Sequence, residues 1–360
     1  MYGALLVNTL LCAFFALLPG VVLAGGVTGS VRVGGGYDSN PSALATGTTE
    51  VIGWTQAQVG WRAAKQGGII SVGYTGGAYS FLPESDWSAH RHALDVAYTA
   101  LKRGDEPTFE AGASIAGTWN HPTYRAYSTH DFAAFASVGG NVGLWPAKAR
   151  CDYTIQDYPS SSDFDHADLA ITVTGRRRWP TRTSLWLTAS YTDRSYTTRT
   201  LDDVAAGRTN PGSRLGEIDV ALSQGLTAIT GLRVSGFARQ GAGRSRWRSD
   251  YWLVLDDPLA TSGAGGRAQV SVLGPARLTF RGYVGGQRVS VAYVSADGLD
   301  AERTDGQVQG GVIVEGTLPW MPASHSINWS AEFCRTHQSS SDANFSHRRT
   351  AAMLSLSYAW

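Results

Sequence analysis

Apolar and polar residues alternate along most of this chain, in segments separated by breaks rich in Gly, Pro, Ser and Asp. Successive side chains of an extended strand point to opposite faces, so an alternation of period two predicts strands with one apolar and one polar face. The first segment runs from Val27 to Tyr37, and others cover about residues 51–63, 69–81, 91–102, 108–120, 131–144, 148–158, 165–176, 183–195, 214–224, 229–241, 263–273, 276–292, 304–318, 324–337 and 347–360. The pattern predicts about sixteen strands.

The breaks differ in character. Short ones such as KRGDEP, LWPA and LGPA alternate with long polar ones such as NHPTYRAYSTH and TTRTLDDVAAGRTNPGS. Short turns at one end and long loops at the other are what an antiparallel transmembrane barrel produces, with the short turns periplasmic. A chain that starts and finishes on one side of the membrane needs an even number of strands. The segment Trp247 to Leu255 would make a seventeenth, so it is assigned to the longest loop; fourteen or eighteen strands stay open beside sixteen.

Composition narrows the fold class. The chain has 43 Gly and 12 Trp, only 16% of its residues are charged, and beyond the leader no stretch is apolar for the roughly 18 residues of a membrane helix. Any spanning must be done by strands, so the expected class is all-β, a transmembrane antiparallel β-barrel. A soluble sandwich or propeller would show the same alternation. Against it, Trp61, Tyr98, Trp119, Tyr191, Trp320 and Trp360 fall near segment ends, where an interfacial aromatic girdle lies. A formal net charge of +1 argues against a nucleic-acid partner, which needs clustered positive excess. Cys12 lies in the leader, and two separated cysteines, Cys151 and Cys334, make neither a disulfide framework nor a metal site.

Residues 4–24 are apolar and end in Val22-Leu23-Ala24, the small-residue pattern that precedes a signal-peptidase cut. Residues 1–24 are therefore expected to be a cleaved signal peptide, with residues 25–360 forming the barrel in the outer membrane of a Gram-negative bacterium. The leader departs from the pattern in having no Lys or Arg near its start.

Two stretches carry a resemblance. In HRRTAAMLSLSYAW, Leu354, Leu356, Tyr358 and Trp360 share one face, and the stretch resembles the C-terminal strand by which outer-membrane β-barrels are recognised for assembly. That resemblance implies the barrel-assembly machinery and outer-membrane lipid as partners; Trp360 departs from the family's usual terminal Phe. The exit of the first segment, GYDSNP, is similar to that of exopolysaccharide-secretion barrels and surface-lipoprotein assembly modifiers, although these residues are also ordinary turn formers. It implies periplasmic polysaccharide-export components as further partners.

If the apolar face meets lipid, the lumen is lined by Arg32, Asp95, Glu110, Asp152, Asp168, Glu217, Asp219, Arg233, Arg239, Arg281, Glu315 and Glu332, a balance of signs that suits a wet interior. The same parity turns Trp54, Tyr79, Phe135, Trp186, Phe237 and Tyr283 inward, as footholds for sugar rings or as packing for an inward loop. The run Arg176-Arg177-Arg178 reads as a solvated periplasmic turn. His90 and His92 share a face, but no further ligand run supports a metal. No Ser, His and acid fall in a catalytic spacing, so neither an enzyme nor a cofactor is expected. The leading expectation is a conduit for hydrophilic cargo, specifically export of a secreted polysaccharide. The alternatives are a diffusion porin for small solutes and, behind it, a structural or assembly barrel or a rim-site lipid hydrolase.

Overall fold

The computed structural model describes residues 25–40, 49–65, 67–82, 88–100, 108–197, 212–243, 246–248, 253–255, 257–294, 300–318 and 325–360. The proposed leader, Cys12 and Trp320 lie outside the described residues. The strands are β1 (Gly25–Asp38), β2 (Glu50–Lys65), β3 (Gly68–Leu82), β4 (Ala89–Ala100), β5 (Thr108–Asn120), β6 (Thr129–Val142), β7 (Trp145–Asp157), β8 (His166–Arg178) and β9 (Thr183–Tyr196). They continue as β10 (Gly212–Gly225), β11 (Thr230–Ala242), β12 (Arg246–Arg248), β13 (Leu253–Leu255), β14 (Thr261–Leu273), β15 (Thr279–Val294), β16 (Asp300–Thr317), β17 (Ser326–Ser340) and β18 (His347–Ala359).

All but β12 and β13 pair antiparallel with their neighbours, β11 joins β14, and β1 closes on β18 to complete a barrel. Closure runs from Ser30 opposite Ala359 to Asp38 opposite Ala351, so no edge strand is left open. The ambiguous segment forms a separate two-stranded hairpin of β12 and β13 and adds nothing to the wall, which leaves the barrel at sixteen strands.

The alternation in the sequence becomes two faces of one sheet. On β8, Leu169, Ile171 and Val173 are 44%, 49% and 49% exposed. Asp168, Thr172 and Thr174 occupy the opposite face. Carbon this exposed is stable only against an apolar solvent, so the outer face is the lipid face. The same face carries Leu94, Ile115, Phe132, Ile218, Val284, Val308 and Leu354. Cys151 also lies on it, opposite Ala136 and Ile171, whereas Cys334 lies on the inner face, opposite Gly311 and Ala351.

The two ends of the barrel differ as the breaks predict. At one end β6 and β7 are joined by Gly143 and Leu144 alone, with Gly143 at φ +60°, and β2 turns into β3 through Gly67 at φ +85°. A side chain at either glycine would strain the left-handed backbone. Trp61, Tyr98 and Trp360 lie toward this end of the outer face, and the Tyr98 hydroxyl donates to the Gly67 carbonyl at 3.2 Å. Trp119 lies at the opposite end, while Tyr191 sits nearer the middle of β9 than the girdle pattern suggested. The longer connections gather at that opposite end, as extracellular loops do. Several fold into short 3-10 turns, at Pro122–Tyr127, Ser162–Phe164, Pro258–Ala260 and Ala343–Phe345.

Candidate functional site: the inner wall

Directly opposed residues on paired strands share a face, so register alone sorts the wall. It sets Arg32 opposite Gln56, Asp95 opposite Ser114, Glu110 opposite Ser137 and Asp152 opposite Phe135 on the inner face. Further round, Asp168 faces Arg194, Glu217 faces Arg239, Asp219 faces Phe237, and Arg233 faces Gln269. Arg281 and Glu332 both face Ile313, and Glu315 faces Ser330. The six aromatics fall on this face too: Trp54 opposite Tyr79, Trp186 opposite Ala221 and Tyr283 opposite Gln269.

What alternation does not reveal is how these residues combine. On the wall from β4 to β7 each inward cation meets an acid: Arg91 meets Asp131 at 3.0 Å, Lys148 meets Glu110 at 2.8 Å, and Arg150 meets Asp152 at 2.6 Å. Most of the inward aromatics carry a guanidinium. Arg32 lies 4.9 Å from the centre of Trp54, Arg150 3.8 Å from Phe135, Arg176 4.0 Å from Trp186, Arg239 5.4 Å from Phe237 and Arg267 3.7 Å from Tyr283. Each contact contributes roughly 0.5–2 kcal/mol. These rings therefore hold arginines in place and do not present two bare faces to a sugar chain.

The run Arg176-Arg177-Arg178 is not one solvated patch. Arg176 turns inward onto Trp186, while Arg177 points outward among Trp145 and Trp179, 5.9 and 5.1 Å from their ring centres. The inward arginines Arg150, Arg176, Arg194 and Arg267 escaped the sequence reading as lumen residues, although the first three share strand and parity with Asp152, Asp168 and Trp186; β14, which carries Arg267, has no such neighbour among the residues it identified.

The β9–β16 side is built differently. A recess of about 380 Å³ is lined there by Trp186, Asp219, Arg233, Phe237, Arg267, Gln287, Gln307 and Gln309. A second, of about 710 Å³, shares Arg233, Ser235 and Arg267 and adds Gln269 and Arg281. Arg281 is held by Glu315 at 2.8 Å. Arg233 has no ion pair among the described residues, and Arg267 lies on a ring and donates to Gln269 at 3.4 Å. The Nε groups of Arg176, Arg239 and Arg267 are buried without a hydrogen-bond partner among the described residues. Tyr283 donates to Glu332 at 2.9 Å, which fixes the ring under Arg267. Chemically this is a row of guanidinium donors with amides, ring edges and the single carboxylate of Asp219 between them, a cationic excess open to a small anionic solute.

Toward the loop end the inner wall is capped by a buried cluster. Asp257 is 1% exposed; it accepts from Arg194 at 3.1 Å and from the Tyr196 hydroxyl at 2.8 Å, and it caps Leu259 N–H at 2.9 Å. Arg194 reaches back to both oxygens of Asp168 at 2.8 Å. The 258–260 turn is thereby laid against β10, β11 and β15. Phe164, His166, Tyr158 and Leu259 are buried at this end, Tyr158 against the rings of Phe164 and His166 and His166 against Tyr196, and burial pushes the Tyr158 phenol up to about 12. The side chains of residues 244–250 in the same loop lie outside the described residues, and the anchor observed is Asp257. Among the described residues no group of three or more His, Cys, Asp or Glu is placed to hold a metal ion. His90 and His92 point outward, beside Trp119.

No family model matches the sequence, and no curated protein is similar to it in sequence. Solved structures are similar in fold. OccAB1 of Acinetobacter baumannii matches over 95% of this chain and 98% of its own, with a TM-score of 0.57 and 10% identity. Pseudomonas aeruginosa OccK2 (OpdF), solved in complex with glucuronate, covers 93% of this chain and 97% of its own, at a TM-score of 0.54 and 9% identity. OpdK of the same organism, solved with vanillate, covers 93% and 99%, with the same TM-score and 9% identity. The fold is thus that of the sixteen-stranded barrels of the Gram-negative outer membrane.

Proposed function

We propose that this protein is an outer-membrane porin that passes small hydrophilic solutes, anionic ones in preference. The observation that carries the reading is the pair Arg233 and Arg267 in the recess of about 380 Å³, cations that no acid of the described residues neutralises directly. A low-dielectric wall focuses such charge into the aqueous path. Structures of like fold were solved with glucuronate and with vanillate, both carboxylates, which supports the same solute class here. The export of a polysaccharide, the leading expectation from sequence, gives way: the fold neighbours are small-solute porins, and guanidinium groups occupy most of the inward rings. The proposal includes export to the outer membrane with removal of residues 1–24, and recognition of Leu354, Leu356, Tyr358 and Trp360 during assembly.

The test is reconstitution. In a planar bilayer the purified protein should conduct steadily, and proteoliposomes should take up glucuronate faster than glucose. A channel that stays closed, in cells whose surface polysaccharide falls when the protein is deleted, would restore the export reading.

A further inference from the structure

The outer face holds few charges, and their distribution is uneven. Near the loop end of β15, β17 and β18 it carries Arg288, Arg335 and Arg348, all exposed, with His337 directly opposite Arg348. Between them β16 contributes Gly306 opposite Arg288 and Gly310 opposite Arg335, with the exposed Val308 standing outward between the two glycines, opposite His337. None of the three arginines has an ion pair among the described residues, whereas the outward Arg214 on β10 is matched by Asp193 at 2.8 Å. Below the group the same face turns apolar at once, through Phe333, Leu354 and Leu356, which are 52%, 60% and 46% exposed. The arginines therefore sit at the boundary between hydrocarbon and water on the extracellular side.

Like charges side by side on a sheet repel one another. Three unmatched guanidinium groups around Gly306, Val308 and Gly310 are stable where an external anion sits between them, and a guanidinium offers phosphate two parallel donors. We infer that this patch is a binding site for the phosphorylated headgroup of an outer-leaflet glycolipid, whose acyl chains would lie along Phe333, Leu354 and Leu356. The inference requires the barrel to sit in the membrane but is independent of what passes through the lumen.

The test uses full-length barrel in detergent, with a bisphosphorylated diglucosamine lipid and its dephosphorylated counterpart as probes, read by native mass spectrometry. The wild type should retain the phosphorylated lipid at least tenfold more strongly than the dephosphorylated one. The triple variant R288Q/R335Q/R348Q should lose that preference, while R214Q should keep it. A shift in gel mobility on heating certifies that each variant is folded. Equal retention by the wild type and a folded triple variant would overturn the site. So would a triple variant that binds lipid normally but loses self-association, because the patch would then be an interface between copies. Complete displacement by millimolar inorganic phosphate would also count against it, reducing the patch to a general anion site.

Discussion

The two sides of the inner wall are made from the same residue types and end with different electrostatics. From β4 to β7, Arg91, Lys148 and Arg150 each touch an acid. From β9 to β16, Arg233 and Arg267 line a recess with one acid, Asp219, and neither arginine makes an ion pair among the described residues. Near-zero net charge therefore says little about what a passing solute meets. Pairing decides: a cation in contact with a carboxylate presents a dipole to the lumen, and an uncompensated one presents its full charge.

The comparison can be broken most strongly on the open side. R233Q/R267Q should lower the preference for glucuronate over glucose by about thirtyfold in liposome uptake, since each charge contributes on the order of 1 kcal/mol to a nearby anion at high effective dielectric. An unchanged ratio would move selectivity elsewhere. On the paired side, Asp131→Asn should release Arg91 and raise anion preference by about two- to threefold, measured as a reversal-potential shift across a salt gradient. Tyr283→Phe removes the bond that fixes the ring beneath Arg267, so it should lower anion preference by less than about twofold and stability by about 1 kcal/mol. Raising the salt from 0.1 to 1 M should shrink all of these differences, because the Debye length falls from about 10 to about 3 Å.

The fold was legible because alternation and turn chemistry are local. The segment expected at residues 108–120 is β5 to the residue, and the ambiguous piece around Trp247 stayed out of the wall. Parity is also local, which is why Arg32, Glu217 and Tyr283 could be put on one face from sequence. Partnership is not local. Whether Arg267 lies on Tyr283, or Arg194 reaches Asp257, depends on register between strands and on where a loop returns. Neither leaves a periodic trace. Arg176 shows a further limit, because a run of three like residues read as solvated charge is divided between the two faces once it is pleated.

The placement of the two described cysteines has a practical consequence. Cys334 is on the inner face and Cys151 is exposed on the outer one, so a single wall separates two thiols in unlike solvents. A charged, water-soluble thiol reagent can approach Cys334 from the lumen but cannot dissolve where Cys151 lies, and a lipophilic maleimide has the opposite access. Without any engineered residue, the chain thus carries one chemical reporter for the aqueous path and one for the surrounding bilayer.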